Sequence, residues 1–202
     1  MDGAVDIRGI SRAAFLARAT LATGALYGAG AVAPFVERAL AAGGGDVAVV
    51  TFALTLERIE SAFYRKALAA KGLSPKVKRA LQEIAAHEDA HVKQLTQTLQ
   101  QLGGSPPPAA KVSFPALGGE KAVLALAVTL EETGVGAYNG AAPSISDSDI
   151  LVAAGSIVQV EARHAGALRE LAGKDPAPAA FDKALTRPQV LAAVKPFAKG
   201  GP

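Results

Sequence analysis

Four segments of this chain repeat apolar residues at the three- and four-residue spacing of a helix, and each carries a glutamate or histidine within its apolar stripe. The segments span about residues 46–71, 75–102, 119–141 and 147–172. No segment shows the sustained alternation of a half-buried strand. Because an ionised carboxylate in a dry core costs several kcal/mol unless it is compensated, this pattern restricts the folds that the chain can adopt.

The breaks between the segments predict how the helices connect. A short turn at 72–74 joins the first helix to the second, and another at 143–147 joins the third to the fourth. A proline-rich stretch at 103–117 lies between the second helix and the third. Proline disrupts a helix interior, so this stretch forms a crossover. Ser74 and Pro75 are a typical N-cap and first residue of a helix. We therefore predict an all-α fold, a four-helix bundle of two antiparallel hairpins joined by one long crossover.

The two predicted hairpins place their glutamates at matching heights. Glu57 and Glu88 lie symmetrically about the first turn, and Glu131 and Glu161 lie symmetrically about the second. An antiparallel hairpin brings such residues to the same level of the bundle. The two halves also repeat, because Glu131 follows Glu57 by 74 positions and Glu161 follows Glu88 by 73.

Each of these glutamates shares a helix face with a histidine or a tyrosine. The pairs are Glu88 with His91 and Glu161 with His164, three residues apart, and Glu57 with Tyr64 and Glu131 with Tyr138, seven residues apart. Residues three apart lie on one face of a helix, so each Glu–His pair can bind an ion from one side. Four neighbouring carboxylates cannot all remain ionised without cations, and the pattern therefore predicts a metal site.

Composition limits the metal and the class of function. The 202 residues suit one domain plus a leader or tail, and half of them are hydrophobic. The absence of cysteine excludes disulfides, thiolate zinc sites and iron–sulfur or rubredoxin centres. A net charge of +3 does not indicate a nucleic-acid partner. Carboxylate and imidazole ligands suit Fe(II) or Mn(II), whereas zinc does not need six protein ligands.

This arrangement resembles the ferritin-like superfamily and its carboxylate-bridged di-iron or di-manganese site. The resemblance covers residues 46–172 and implies two Fe or two Mn ions per chain. The ligands it implies are Glu57, Glu88, His91, Glu131, Glu161 and His164. Tyr64 and Tyr138 match the tyrosines beside such centres, where they would orient a ligand or supply an electron; the alternative is that they are core phenols with satisfied hydroxyls.

With its leader and no cysteine, the chain looks most like the short exported bacterial ferritin-like proteins grouped with desiccation-related proteins. That resemblance implies a ferroxidase-, peroxidase- or catalase-like reaction in oxidative or desiccation stress. Its partners would be a small-molecule oxidant, O2 or hydrogen peroxide, and an unknown reductant. Iron storage and a non-catalytic envelope or stress protein stay open as alternatives, as do turnover at the site, the choice of metal and a homodimeric state.

The two ends of the chain differ from the bundle. Residues 1–41 combine arginines, an uncharged apolar stretch at 19–36 and small residues at 39 and 41, which is typical of an export signal to the periplasm or cell envelope. Residues 11–16 resemble the twin-arginine motif, with Ala13 in place of the second arginine. An N-terminal anchor or an extra helix is the alternative. Residues 173–202 form a tail with room for one short helix near 188–198.

Two further glutamates are alternative ligands on the first and third helices. Glu60 has Gly134 at its repeat position, so we expect it either to support the site from outside the ligand set or to be exposed. Glu132 points about 100° away from Glu131 on a regular helix, and we therefore favour Glu131 as the ligand.

The remaining residues near the motifs have alternative explanations. We expect His87 to lie off the seam, at the surface or behind a ligand, and Arg163 to be solvated. Gly134, Gly136 and Gly140 each cost about 1 kcal/mol in a helix interior relative to alanine. They either thin the wall of the bundle and admit a small substrate, or permit close packing.

Overall fold

The computed structural model describes residues 45–109 and 112–197, and the regular elements in these ranges are helices. The helices are α1 Gly45–Ala67, α2 Pro75–Gln101, α3 Glu120–Ala141, α4 Ser148–Leu171 and α5 Arg187–Val194, with a 3-10 turn at Ala142–Ser144. Within the described ranges, no helix combines the length and apolarity that crossing a membrane requires. The export signal or anchor predicted for residues 1–41 lies outside the described residues.

Helices α1 to α4 form the predicted bundle. α1 packs mainly against α2, and α3 packs mainly against α4. α1 and α3 are antiparallel, because Glu57 of α1 contacts Tyr138 of α3 while the later Tyr64 contacts the earlier Glu131. The all-α fold class is therefore confirmed.

The starts of α2 and α4 are determined by local sequence. The Ser74 hydroxyl accepts a hydrogen bond from the Val77 amide at 3.4 Å, and Pro75 occupies the first turn, where its missing N–H costs nothing. At the start of α4, the Asp147 carboxylate accepts hydrogen bonds from the amides of the first turn at 2.7 and 3.3 Å. These caps hold each hairpin turn in place and thereby set the height of the following helix.

α1 is shorter than its apolar pattern predicts. It ends at Ala67, whereas the sequence predicts an end near residue 71. The amides of Ala69 and Ala70 bond back three residues to the carbonyls of Lys66 and Ala67, which tightens the last turn. Gly72 then adopts a positive φ of 76°, which redirects the chain toward α2.

Basic residues of α1 anchor the crossover between α2 and α3. The Arg58 guanidinium donates a hydrogen bond to the Pro107 carbonyl at 2.6 Å, and the Lys66 ammonium donates one to the Phe114 carbonyl at 2.8 Å. The buried ring of Phe114 packs edge-on against Phe63 of α1 at 5.5 Å. The crossover is thus a packed part of the bundle.

Two glycines of α3 make room for the chain that leads into α5. The Leu185 amide donates a hydrogen bond to the Gly136 carbonyl at 2.8 Å. A Cβ at Gly136 would lie 2.5 Å from Leu185 Cγ, and one at Gly140 would lie 1.9 Å from the Leu185 carbonyl oxygen. For these two glycines the structure supports close packing, with the C-terminal segment as the packing partner.

The core is divided into two apolar layers with a polar layer between them. The larger apolar cluster includes Phe63, Leu81, Leu130 and Leu168. The smaller includes Val50, Leu54, Leu95, Leu99, Tyr138 and Ile157. The buried glutamates and histidines occupy the level between these clusters, so the apolar layers exclude water from them on both sides.

Gly140→Ala should destabilise the protein by about 1–3 kcal/mol, because the new methyl group overlaps backbone that cannot rotate away. Gly155→Ala in α4 is the matched control, since a Cβ there meets no atom within 4 Å. That control should stabilise the helix by up to about 1 kcal/mol. Thermal unfolding of the full chain measures both, and a raised midpoint for Gly140→Ala would contradict the packing described here.

Candidate metal centre

The six residues predicted as metal ligands meet in the polar layer of the bundle. Each of the four helices contributes one glutamate, and all four glutamates have 0% of their surface exposed. α2 and α4 each add a histidine one turn later, and these are 9% and 5% exposed. The residues are Glu57 of α1, Glu88 and His91 of α2, Glu131 of α3, and Glu161 and His164 of α4.

A single nitrogen of His91 faces three carboxylates. Its Nδ1 atom lies 3.1 Å from Glu161, 3.2 Å from Glu57 and 3.5 Å from Glu88. An imidazole nitrogen carries at most one hydrogen, so it cannot donate a full hydrogen bond to all three. A cation surrounded by these same atoms would interact with every one of them.

His164 repeats this arrangement in the second half of the bundle. Its Nδ1 atom lies 3.1 Å from Glu88, 3.2 Å from Glu131 and 4.0 Å from Glu161. The two imidazole rings are 6.3 Å apart between centroids. The centre therefore has two similar ends that share the glutamates of α2 and α4.

The contacts of the carboxylate oxygens test whether metal ions fit this site. Among the described residues, both oxygens of Glu88 and both of Glu161 are buried and accept no well-directed hydrogen bond. Potential ligand atoms form two groups, each with all its atoms within 4.8 Å of one another, and Glu88 and Glu161 belong to both groups. Oxygen-rich sites with imidazole suit Fe and Mn, and bound cations would satisfy these oxygens. The residues fit a pair of such ions.

Burial and neighbouring charges push the carboxyl pKa values apart. Burial raises the pKa of Glu57 to about 8, and it raises the pKa of Glu161 to about 8 as well. For Glu88 burial acts in the same direction, but the adjacent imidazoles of His164 and His91 lower its pKa to about 2. Without metal, the layer therefore keeps some carboxyls protonated and leaves Glu88 ionised between the two histidines.

The histidines show the opposite effect. Burial alone would lower their pKa values, but the surrounding carboxylates raise the pKa of His91 to about 12 and that of His164 to about 10. Both imidazoles are consequently protonated at neutral pH in the metal-free protein. Protons occupy the positions where the electrostatics favour positive charge.

The two tyrosines donate hydrogen bonds to ligand carboxylates across the bundle. The Tyr138 hydroxyl donates to Glu57 Oε1 at 2.6 Å, and the Tyr64 hydroxyl donates to Glu131. Burial and the facing glutamate raise the pKa of each phenol well above its usual value, so both remain protonated. In this structure both hydroxyls are satisfied and hold Glu57 and Glu131 from opposite apolar layers.

The structure shows where the residues next to the predicted ligands lie relative to the polar layer. Glu132 forms an ion pair with Arg169 outside the polar layer, and Arg163 is exposed. The ring of His87 stacks on His164 at 5.2 Å, with its Nδ1 atom 2.9 Å from His164 Nε2. His87 therefore supports a ligand histidine from the solvent side.

Glu60 is the residue that sequence reasoning placed least well. It is 3% exposed, which excludes the surface alternative, and its Oε2 atom is buried without a hydrogen-bond partner. It lies one turn after Glu57 on the same face of α1, so its spacing alone would have placed it near the site. The glycine at its repeat position left both alternatives, a supporting position and an exposed one, open in the sequence.

An apolar pocket adjoins the centre on the Tyr138 side. It lies among α1, α2, α3 and α4, and its walls include Val50, Leu95 and Ile157. Tyr138 lines this pocket and also donates a hydrogen bond to Glu57, so this side chain links the pocket wall to the polar layer.

The fold has a counterpart among solved structures. A conserved hypothetical protein from Mycobacterium tuberculosis has a crystal structure that is similar with a TM-score of 0.59 and 22% identity, over 67% of this chain and 96% of the other. No curated protein matches this chain significantly. The family model of the ferritin-like domain matches residues 45–174, and the chain therefore belongs to the ferritin-like domain family.

Proposed function

We propose that this protein binds two Fe or two Mn ions per chain and uses them to react with O2 or hydrogen peroxide. The observation that carries the proposal is the pair of imidazole nitrogens, each facing three buried carboxylates. No arrangement of single protons satisfies all of these contacts, whereas two divalent ions do so and also neutralise four carboxylates. Membership of the ferritin-like domain family supports the same conclusion.

The ligand roles follow from the two groups of converging atoms. Glu57 and His91 would hold one ion, Glu131 and His164 would hold the other, and Glu88 and Glu161 would be shared. Bound iron or manganese would supply one-electron redox chemistry at each position, so that the pair could deliver two electrons to O2 or hydrogen peroxide. The chain's own residues would hold the ions close together, and the apolar layers above and below would exclude bulk water.

Tyr64 and Tyr138 act in this proposal by positioning ligands. Each phenol donates its hydrogen bond to one oxygen of a terminal glutamate and so restrains that carboxylate. The other oxygen faces the Nδ1 atom of a ligand histidine, where a metal ion would replace the proton between them. The apolar pocket beside Tyr138 suits a small uncharged oxidant, because its walls offer little to bind a charged molecule. The electrons that restore the reduced site would come from a separate reductant, since the chain has no cysteine to hold a donor centre.

Metal loading of the full chain tests the site directly. Anaerobic titration with Fe(II) or Mn(II), followed by removal of free ions, should give about two ions per chain. Glu88→Ala with Glu161→Ala should abolish stoichiometric binding because both shared carboxylates are lost. The matched control is Glu83→Ala with Glu170→Ala, which removes exposed glutamates from the same two helices and should retain both ions. A folded wild-type protein without stoichiometric metal would refute the proposal.

Metal affinity should rise with pH, because bound ions must displace protons from groups that hold them at neutral pH. His91 and His164 have pKa values raised to about 12 and 10, and the pKa values of Glu57 and Glu161 are raised to about 8. Lowering the pH from 8 to 7 should therefore weaken Mn(II) binding by about tenfold or more. Calorimetry in buffers of different ionisation enthalpy counts the released protons, and an affinity that stays constant from pH 6 to 8 would contradict this assignment.

Turnover separates an enzyme from a non-catalytic metal protein. The loaded wild-type protein should consume hydrogen peroxide or oxidise Fe(II) under O2, and Glu88→Ala should lower the rate at least about a hundredfold by losing a shared ligand. Glu83→Ala is the control for a carboxylate change on the same helix and should keep the wild-type rate. Stoichiometric metal without consumption of either oxidant would favour the non-catalytic stress-protein alternative.

A further inference from the structure

The polar layer contains one more carboxylate than the six-ligand set uses. Glu60 of α1 is 3% exposed and lies one turn beyond Glu57 on the same helix. Its Oε2 atom is buried and accepts no hydrogen bond among the described residues. By contrast, Glu57 and Glu131 each accept hydrogen bonds from a tyrosine and a histidine. Glu60 is therefore buried without the partners that normally justify such a position.

The basic residues of α1 near Glu60 are engaged elsewhere. Arg58 binds the Pro107 carbonyl in the crossover, Arg65 forms an exposed ion pair with Asp89, and Lys66 binds a second crossover carbonyl. None of these contacts brings a positive charge to Glu60. No ion pair to Glu60 occurs among the described residues, so an ionised Glu60 would need a counter-charge from within the polar layer.

Gly134 supplies the space in which Glu60 meets the centre. A Cβ at this position of α3 would lie 3.0 Å from Glu60 Oε1 and 3.2 Å from Glu161 Oε2. The two oxygens therefore converge on the gap that the glycine leaves. A methyl group at residue 134 would press on both oxygens, so these carboxylates would have to shift by a few tenths of an ångström.

This arrangement breaks the symmetry between the two halves of the bundle. The first half carries Glu60, and the repeat position in the second half is Gly134, which faces it. One glutamate and one glycine thus occupy the space that two symmetric side chains could not share. A role for the fifth carboxylate at the metal centre would explain both the burial of Glu60 and the glycine at residue 134.

We propose that Glu60 is a further metal ligand, which joins Glu161 at the ion pair through the gap at Gly134. This inference rests on the proposed di-metal function. Five carboxylates exceed the charge of two divalent ions by one, and they balance one divalent and one trivalent ion. Glu60 therefore favours the oxidised state of one ion and makes the two ions inequivalent.

Mn(II) titration followed by electron paramagnetic resonance tests the ligand role, because free and bound Mn(II) have different signals. Glu60→Gln keeps the size of the side chain but removes its charge, and it should weaken one of the two binding events by about tenfold or more. Glu132→Gln is the matched control on α3, outside the polar layer, and should bind both ions as the wild type does. Circular dichroism of each variant verifies that the bundle is folded.

Two more variants distinguish direct binding from a distant charge effect. Glu60→Ala opens a coordination position to water, so the water-proton relaxivity of the Mn(II)-loaded protein should increase. Gly134→Ala retains every carboxylate but crowds Glu60 most and Glu161 next, and it should weaken the same binding event. An unchanged relaxivity in Glu60→Ala overturns the ligand role even if its affinity is lower.

The outcomes separate this inference from the function on which it rests. If wild-type protein binds two Mn(II) ions and Glu60→Gln binds both with wild-type affinity, Glu60 is not a ligand while the di-metal function stands. If folded wild-type protein binds neither Mn(II) nor Fe(II), the proposed function itself fails. Two ions in the wild type, with one weakened in Glu60→Gln and a higher relaxivity in Glu60→Ala, support the proposal.

Discussion

The burial of several carboxylates at one level of the bundle is the constraint on which the rest of this structure depends. Such groups are costly to bury unless positive charge or hydrogen bonds compensate them. Here the compensation comes from two imidazoles and two phenols, each reaching across from another helix. The helices must therefore be held at fixed heights, and the caps at Ser74 and Asp147 and the anchored crossover provide this.

The two halves of the bundle repeat the ligands but differ in what surrounds them. His87 stacks on His164, while the position 73 residues later is Val160, which leaves His91 without an equivalent partner. Likewise, the first half carries a carboxylate at Glu60, whereas the second half has Gly134 at the repeat position. A repeated framework with unequal surroundings gives two similar binding positions different environments. Side chains that contact metal ligands influence both the orientation of those ligands and their affinity for metal.

Much of the candidate site follows from helical geometry alone. Spacings of three and seven residues place Glu88 with His91 and Glu57 with Tyr64 on one helix face, and symmetry about the turns sets their heights. The hydrogen bonds from Tyr64 to Glu131 and from Tyr138 to Glu57 depend on which helices become neighbours, so the sequence did not reveal them. For a similar reason the sequence left open whether Glu60 supports the site or is exposed, since the gap that admits it belongs to the facing helix.

The amino-acid sequence by itself determined the helical periodicity, the caps, the crossover and the level at which the polar residues would meet, because these depend on contacts between residues close along the chain. The tertiary structure decided which oxygens converge and which accept no well-directed hydrogen bond from the described part of the chain, as at Glu88, Glu161 and Glu60. It also decided that Gly136 and Gly140 receive the C-terminal segment. Those outcomes depend on distances of a few ångströms between separate helices, which only the packing of the whole bundle sets.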